Sequence, residues 1–197
     1  AYDRADEHDT ILVHPGVYNN DIWFYGKNVV LGSLYLSTGD TSFISSTIID
    51  GDSTDCTIAI YGNIDSTCRV TGFTIQNGIG CVYGQGAGIY VESASPKLDN
   101  LIIKNNSGGT NGGGICLNGN SNSLIDKVVI KNNSADTGGG LYSFNSNPVI
   151  TNSVIQNNHS NNGAGVFLEL CSPNFENVSI TDNLSLIHIS EPTRRYR

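Results

Sequence analysis

The stretch IKNNSADTGGGLYS, residues 130–143, decides the fold of this chain. IKNNSGGTNGGGICLN (103–118) precedes it, IQNNHSNNGAGVFLE (155–169) follows it, and IQNGIGCVYGQGAGIYVE (75–92) opens the series. Each copy has an isoleucine, an asparagine-bearing polar step, a loop, a triplet of small residues and a short apolar run. Ile75, Ile103, Ile130, Ile155 and Ile180 recur at spacings of 28, 27, 25 and 25 residues. The triplets Gly86-Ala87-Gly88, Gly112-Gly113-Gly114, Gly138-Gly139-Gly140 and Gly163-Ala164-Gly165 keep spacings of 26, 26 and 25. A fixed period in the twenties marks a solenoid, whose units bury their apolar faces only by stacking on one another.

Within each unit the apolar residues alternate with a period of two, which predicts three short strands. The first follows the glycines (GIYVE, GICLN, GLYSF, GVFLE), the second is KLDN, LIDK, VITN or NFEN, and the third is LIIKNN, VVIKNN, SVIQNN or VSITDN. No helical stripe competes beyond a few residues at the start of the chain. The expectation is an all-β, right-handed parallel β-helix solenoid with three short strands per coil and about 25–28 residues per coil. The third-strand isoleucines form an inward ladder, each contributing roughly 1.5–3 kcal/mol on burial. Asn100, Asn152 and Asn177 fall at one corner, interrupted by Lys127, and Asn105, Asn132 and Asn157 at another; both rows read as stacked amides satisfying corner groups that water cannot reach.

Composition supports the same division. Of the 24 asparagines only four precede Phe73, so residues 1–72 read as irregular N-terminal coils and 73–183 as the regular repeats. The formal charge of −8 disfavours phosphate backbones and excludes nucleic acid as a partner. No apolar run is long enough to span a bilayer. The chain lacks methionine and begins at Ala1 without a charged-then-apolar leader, so it reads as a mature piece or a fragment. The five cysteines, 56, 68, 81, 116 and 171, form no CxxC pair that would suggest zinc or thioredoxin-like chemistry.

The pairing of I-x-x-N with GG(A/G)-apolar resembles the repeats of bacterial polymorphic outer-membrane proteins. It also resembles the wider pectin-lyase-like β-helix group that includes pectate lyases. DTILVHPGVY, residues 9–18, is similar to the first coil of secreted β-helix proteins, with His8 where glycine is common. The resemblance covers roughly residues 3–183 and implies architecture, a bacterial source and a secreted or cell-surface location, not an activity. Pectate lyases use a calcium-binding acidic cluster with a basic catalytic residue, and polygalacturonases an Asp-Asp pair with Gly-His-Gly. Neither set stands in this sequence, in which Arg69 is the only arginine between Arg4 and the final residues.

Strand parity then sorts the candidate sites. With Ile89 and Val91 inward, Tyr90, Cys116, Tyr142 and Phe167 share an outward column. Tyr90, Tyr142 and Phe167 are the candidate ligand-binding residues, as a stripe able to stack on sugar rings; the alternative is an aromatic column covered by a loop. Asp99 and Asp126 fall on adjacent rungs about 5 Å apart and are the candidate metal pair, for a divalent cation such as Ca2+, or an acid pair; the alternative is two solvated carboxylates beside Lys97 and Lys127. Glu92 and Glu169, three rungs and about 14 Å apart, are too distant for a glycosidase pair, which needs roughly 5–9.5 Å. DGDSTD at 50–55 reads as an Asp-Gly turn rather than a calcium loop, because Tyr61 occupies the place of the closing glutamate. No catalytic residue and no resident cofactor are assigned. The sequons at Asn105, Asn132, Asn158 and Asn177 follow from the repeat pattern.

Regular rungs without a convergent polar cleft point to a non-catalytic adhesion or presentation scaffold, with polysaccharides or host and cell-surface glycans as partners. The alternative is a polysaccharide lyase or glycoside hydrolase whose active site lies partly outside this segment. The final residues, LSLIHISEPTRRYR (184–197), break the register and resemble the conceptual translation of a transposase-type sequencing-library adapter, a non-native tail. Such a tail continues neither the isoleucine column nor the asparagine rows. Its removal is expected to leave the urea-unfolding midpoint nearly unchanged.

Overall fold

The computed structural model describes residues 2–81 and 84–186. The chain winds into a parallel β-solenoid whose faces are three sheets. The first sheet stacks Thr10–Val13, Val30–Ser33, Arg69–Thr71, Lys97–Asp99, Leu124–Asp126, Val149–Thr151 and Asn174–Glu176. The second stacks Gly16–Tyr18, Thr47–Asp50, Thr74–Gln76, Ile102–Lys104, Val129–Lys131, Val154–Gln156 and Ser179–Thr181. The third has six strands: Ile22–Tyr25, Ile58–Tyr61, Ile89–Glu92, Ile115–Asn118, Leu141–Phe144 and Val166–Glu169. A short fourth ladder, Ser134–Thr137, His159–Asn162 and Leu184–Ser185, runs through the loops between the second and third sheets. Among the described residues no helix is long and apolar enough to cross a membrane.

Period-2 alternation builds the core as expected. Ile75, Ile103, Ile130, Ile155 and Ile180 are register partners in the second sheet, and the first four are at most 1% exposed. Ile180 is 48% exposed because its strand is last in the sheet. The family-like first coil also fits: His8 has φ of 67°, a left-handed conformation in which glycine is at ease. Two single-turn helices, Tyr35–Thr38 and Ser42–Ser46, interrupt the second coil, where the sequence carries no helical stripe.

The amide rows require a correction. Asn105, Asn132 and Asn157 are exposed, at φ of 57°, 56° and 55°, and their role is to turn the corner after a strand. Asparagine tolerates this left-handed region better than most side chains. Asn100, Asn152 and Asn177 turn the neighbouring corner with the same left-handed φ, as does Lys127 at φ of 54°, and this row keeps one stacked-amide bond, Asn177 Nδ2 donating to Asn152 Oδ1 at 2.8 Å. The buried ladder belongs to the second amide of each pair: Asn106, Asn133 and Asn158 are each 1% exposed. The Asn106 backbone N–H and Nδ2 both donate to Asn133 Oδ1, at 3.0 and 2.9 Å. Asn133 treats Asn158 in the same way at 3.0 and 3.1 Å, and Asn158 treats Asn183 at 3.0 and 2.9 Å. The other Nδ2 hydrogen of Asn133 and of Asn158 goes back one coil, to the carbonyls of Ile103 and Ile130. Every polar valence of the amide is used inside an apolar core, which is why neither serine nor aspartate would serve.

The last glycine of each triplet makes room for this ladder. A Cβ on Gly140 would lie 2.5 Å from the Gly165 carbonyl oxygen and 2.9 Å from both Asn158 Nδ2 and Ile155 Cγ2. Beyond Asn183, Leu184–Ser185 pairs with His159–Ser160, and Ser185 Oγ accepts the Ala164 N–H at 2.9 Å. The first residues of the adapter-like segment therefore complete the fourth ladder, while 187–197 lie outside the described residues. A deletion that spares this bond starts at residue 187.

Asn133→Ala would strip partners from the Asn106 N–H and the Ile103 carbonyl together. It is expected to cost roughly 3–5 kcal/mol in urea unfolding, since each buried orphan costs about 1–3 kcal/mol. The adjacent exposed Asn132→Gly should stay within about 0.5 kcal/mol of the parent.

Candidate functional site

On the outer face of the first sheet, Asp99 and Asp126 are register partners on adjacent rungs, as the spacing requires. They are not a free pair. Asp99 is 2% exposed and clasped by Arg69, with Nε donating to Oδ1 at 2.6 Å and Nη2 to Oδ2 at 2.6 Å. Thr71 Oγ1 and Asn100 Nδ2 donate to the same carboxylate at 3.3 and 2.5 Å. The bond to Asp99 raises the pKa of Arg69. Asp126 accepts from Thr151 Oγ1 at 2.6 Å and Asn152 Nδ2 at 2.8 Å. Burial works to raise its pKa, but these bonds, with Lys127 and Lys97 nearby, outweigh it and hold the carboxyl below its ordinary value. The picture of two solvated carboxylates thus fails for Asp99, whose oxygens are committed to a buried bidentate ion pair. The sequence shows Arg69 but not its partner, because the contact runs diagonally between strands. With Arg69 opposite Lys97, Asp99 lies two positions along the neighbouring strand, within reach of a long side chain.

The outer face of the third sheet carries two columns. One is Trp23, Ala59, Tyr90, Cys116, Tyr142 and Phe167; the other is Tyr25, Tyr61, Glu92, Asn118, Phe144 and Glu169. Tyr90 and Tyr142 are 3% and 8% exposed, so neither presents an open ring face, and Phe167 is half-buried. They form a second apolar cluster with Cys56, Ala59, Cys81 and Cys116, outside the solenoid bore. Loop backbone covers it: a Cβ on Gly138, at φ of 68°, would lie 2.8 Å from Tyr142 Cβ. Burial pushes the Tyr142 hydroxyl up to about 12 and drives the Tyr90 hydroxyl and Cys116 thiol upward as well. Of the predicted stripe, Tyr142 and Phe167 stack at 5.6 Å with 4° between planes.

A more open aromatic group lies at the other end of this face. Trp23 and Tyr25 alternate outward on one strand, and Tyr61 follows on the next. Ring centroids are 6.0 Å apart for Trp23–Tyr25, 5.8 Å for Trp23–Tyr61 and 5.3 Å for Tyr25–Tyr61, with planes 7–19° apart. Burial pushes the Tyr61 hydroxyl up to about 12, helped by Tyr25, Glu92 and Asp55. The same parity rule that picked out Tyr90 would have found this group, had it been carried back to IWFY at 22–25.

Cys56 and Cys68 are not bonded to each other, as expected; Cys56 pairs with Cys81 on the next coil, Cα atoms 4.7 Å apart, and Cys68 is buried and free. Asp55 lies beside that disulfide, but bonded sulfurs supply no thiolate for a metal. In DGDSTD, Asp50 accepts from Gln76 Nε2, Asn77 Nδ2 and the Asp52 N–H, which closes the turn.

Residues 32–193 match the family described as right handed beta helix region. The chain belongs to this β-helix family. The match includes the first ten residues of the adapter-like segment. No curated protein matches the chain. Among solved structures, the β-helix is similar to a pectin methylesterase crystallised in complex with hexasaccharide VII, at 12% identity and a TM-score of 0.52. The alignment covers 90% of this chain and 58% of that one, so the β-helix spans under two thirds of that enzyme's length. That likeness carries the fold alone.

Removing the guanidinium strands a buried carboxylate, so Arg69→Ala should lower the unfolding free energy by about 3–5 kcal/mol. Asp126 contributes stability that is complete above its ordinary value of 3.8 and is lost as pH falls toward its depressed folded value. Thr151→Val, which removes one of its donors, should therefore flatten the acid limb of stability measured between about pH 5 and 2.

Proposed function

We propose that this β-helix is a secreted or cell-surface scaffold that contacts carbohydrate without turning it over. The observation that carries this reading is the outer face of the third sheet, where Trp23, Tyr25 and Tyr61 gather aromatic surface at its start and the partly exposed Phe144 and Phe167 add to it near its far end. Grouped aromatic rings on a rigid sheet suit the apolar faces of sugars. The Cys56–Cys81 disulfide supports an oxidising compartment. Asp99 and Asp126, on adjacent rungs of the first sheet, are engaged by Arg69, Thr71, Asn100, Thr151 and Asn152, which supports a structural use of both.

One observation favours the catalytic alternative, a polysaccharide lyase or glycoside hydrolase: an arginine stands beside two carboxylates on an outer sheet face, and Asp126 is only partly buried. A panel of uronate and neutral polysaccharides, incubated with full-length protein with and without calcium, separates the two. Retention of at least one polymer with no new reducing ends or unsaturated products is expected. Turnover that is lost in Asp126→Asn, which leaves the Arg69–Asp99 pair in place, would overturn the scaffold reading.

A further inference from the structure

We infer that Trp23, Tyr25 and Tyr61 form the sugar-stacking subsite of this face, and that its ligand is a neutral pyranose polymer rather than a uronate. This rests on the carbohydrate-contact reading above and goes on to name the place and the chemical class.

Ring geometry is the first argument. In a linear stack of three rings one centroid separation is about twice the other two, whereas here the three are 5.3, 5.8 and 6.0 Å. The rings are near-parallel and mutually offset rather than in line; Tyr61 also meets Tyr90 at 5.5 Å, so the open ring face of the group belongs to Tyr25. Tyr25 is 57% exposed on a strand that ends its sheet, with Tyr61 stacked on one side only. A flat pyranose can extend this parallel array through its C–H face.

Hydrogen-bonding capacity is the second. Trp23 and Asp21 also line a cavity of about 500 Å3 that runs into the first coils of the bore, among Ile11, Phe24, Leu31 and Phe73. Asp21 Oδ1 is buried without a hydrogen-bond partner among the described residues. A buried carboxylate oxygen is acceptor-only and needs a donor. Sugar hydroxyls are donors of the kind such an acceptor calls for, whereas an added carboxylate is not. Burial, followed by the charge of Asp55, holds the Asp21 carboxyl above its ordinary pKa, in keeping with that want of donors.

Charge decides the class. The twelve positions of the two outward columns include Glu92 and Glu169 and no lysine or arginine. Asp21 and Asp55 add to the same sign, in a chain of formal charge −8. A uronate would bring a carboxylate on each sugar against this field with no lysine or arginine in either column to meet it, and the nearby Lys27 is held by the Ala5 carbonyl and the Tyr2 ring. A neutral polymer brings the same ring faces and the same donors without that repulsion.

Trp23 is the only tryptophan of the chain, so its fluorescence reports on this subsite directly. Full-length protein is titrated with hydroxyethylcellulose, galactomannan and polygalacturonate, with circular dichroism as the fold control. The expected result is a saturable change in emission with a neutral polymer, at least tenfold weaker with polygalacturonate. Affinity should fall at least tenfold in Tyr25→Ala, whose exposed side chain is removed with the tryptophan reporter intact. Polygalacturonate bound as tightly as the neutral polymers overturns the inference, as does neutral binding undiminished in Tyr25→Ala. If the panel polymers are still retained on a gel by Tyr25→Ala, this subsite falls while the scaffold reading stands. If no polymer is retained by the parent protein, both fall.

Discussion

A single buried amide per coil constrains everything around it. The Asn106–Asn133–Asn158–Asn183 row lies inside the apolar bore, where an unpaired donor or acceptor costs about 1–3 kcal/mol. It is tolerable only if each coil places its amide one rung from the next, and that fixes the register of the neighbouring isoleucine column. It also dictates composition at a distance: Gly140 has no room for a side chain because Asn158 and Ile155 occupy the space. Isoleucine, second asparagine and third glycine are therefore one device distributed over some ten residues of each repeat.

With the interior so constrained, chemical variety is left to the outward positions, and these divide by depth. Next to the loops, Tyr90, Cys116 and Tyr142 are roofed by backbone and act as a second core. One column further out, Tyr25, Tyr61, Glu92, Asn118, Phe144 and Glu169 vary from rung to rung. The Cys56–Cys81 bond holds the roof to the strand it covers, joining successive coils at Cα separation 4.7 Å. On the first sheet Arg69 and Asp99 bond each other and Asp126 takes two neutral donors.

Much of this was legible in the residues and some was not, for identifiable reasons. Periodicity locates strands well, because a one-residue slip would turn Ile103 or Ile130 to solvent. It cannot say which of two adjacent amides faces inward: Asn105 and Asn106 are alike in chemistry, and only the left-handed φ of the first reverses their directions. Parity likewise shows Tyr90 pointing away from the bore but is blind to the loop laid over it. The Arg69–Asp99 pair depends on the diagonal between strands, which a reading along columns does not examine. The helical turns of 35–46 have no periodic counterpart at all.

The amide ladder has a polarity that the backbone ladder around it does not share. Each Nδ2 donates toward the following coil and each Oδ1 accepts from the preceding one, so the side-chain dipoles point the same way along the axis. Aligned hydrogen bonds polarise one another, and the row behaves as a short wire of additive dipoles within a low-dielectric tube. Growth of the solenoid is then vectorial in the chemical sense: a coil joins the C-terminal side of the row by offering an acceptor oxygen, and extends it only by carrying a donor of its own. Aspartate at that place could receive the row but would hand on only its backbone N–H, so the side-chain wire would stop there as a chain stopper ends a polymer.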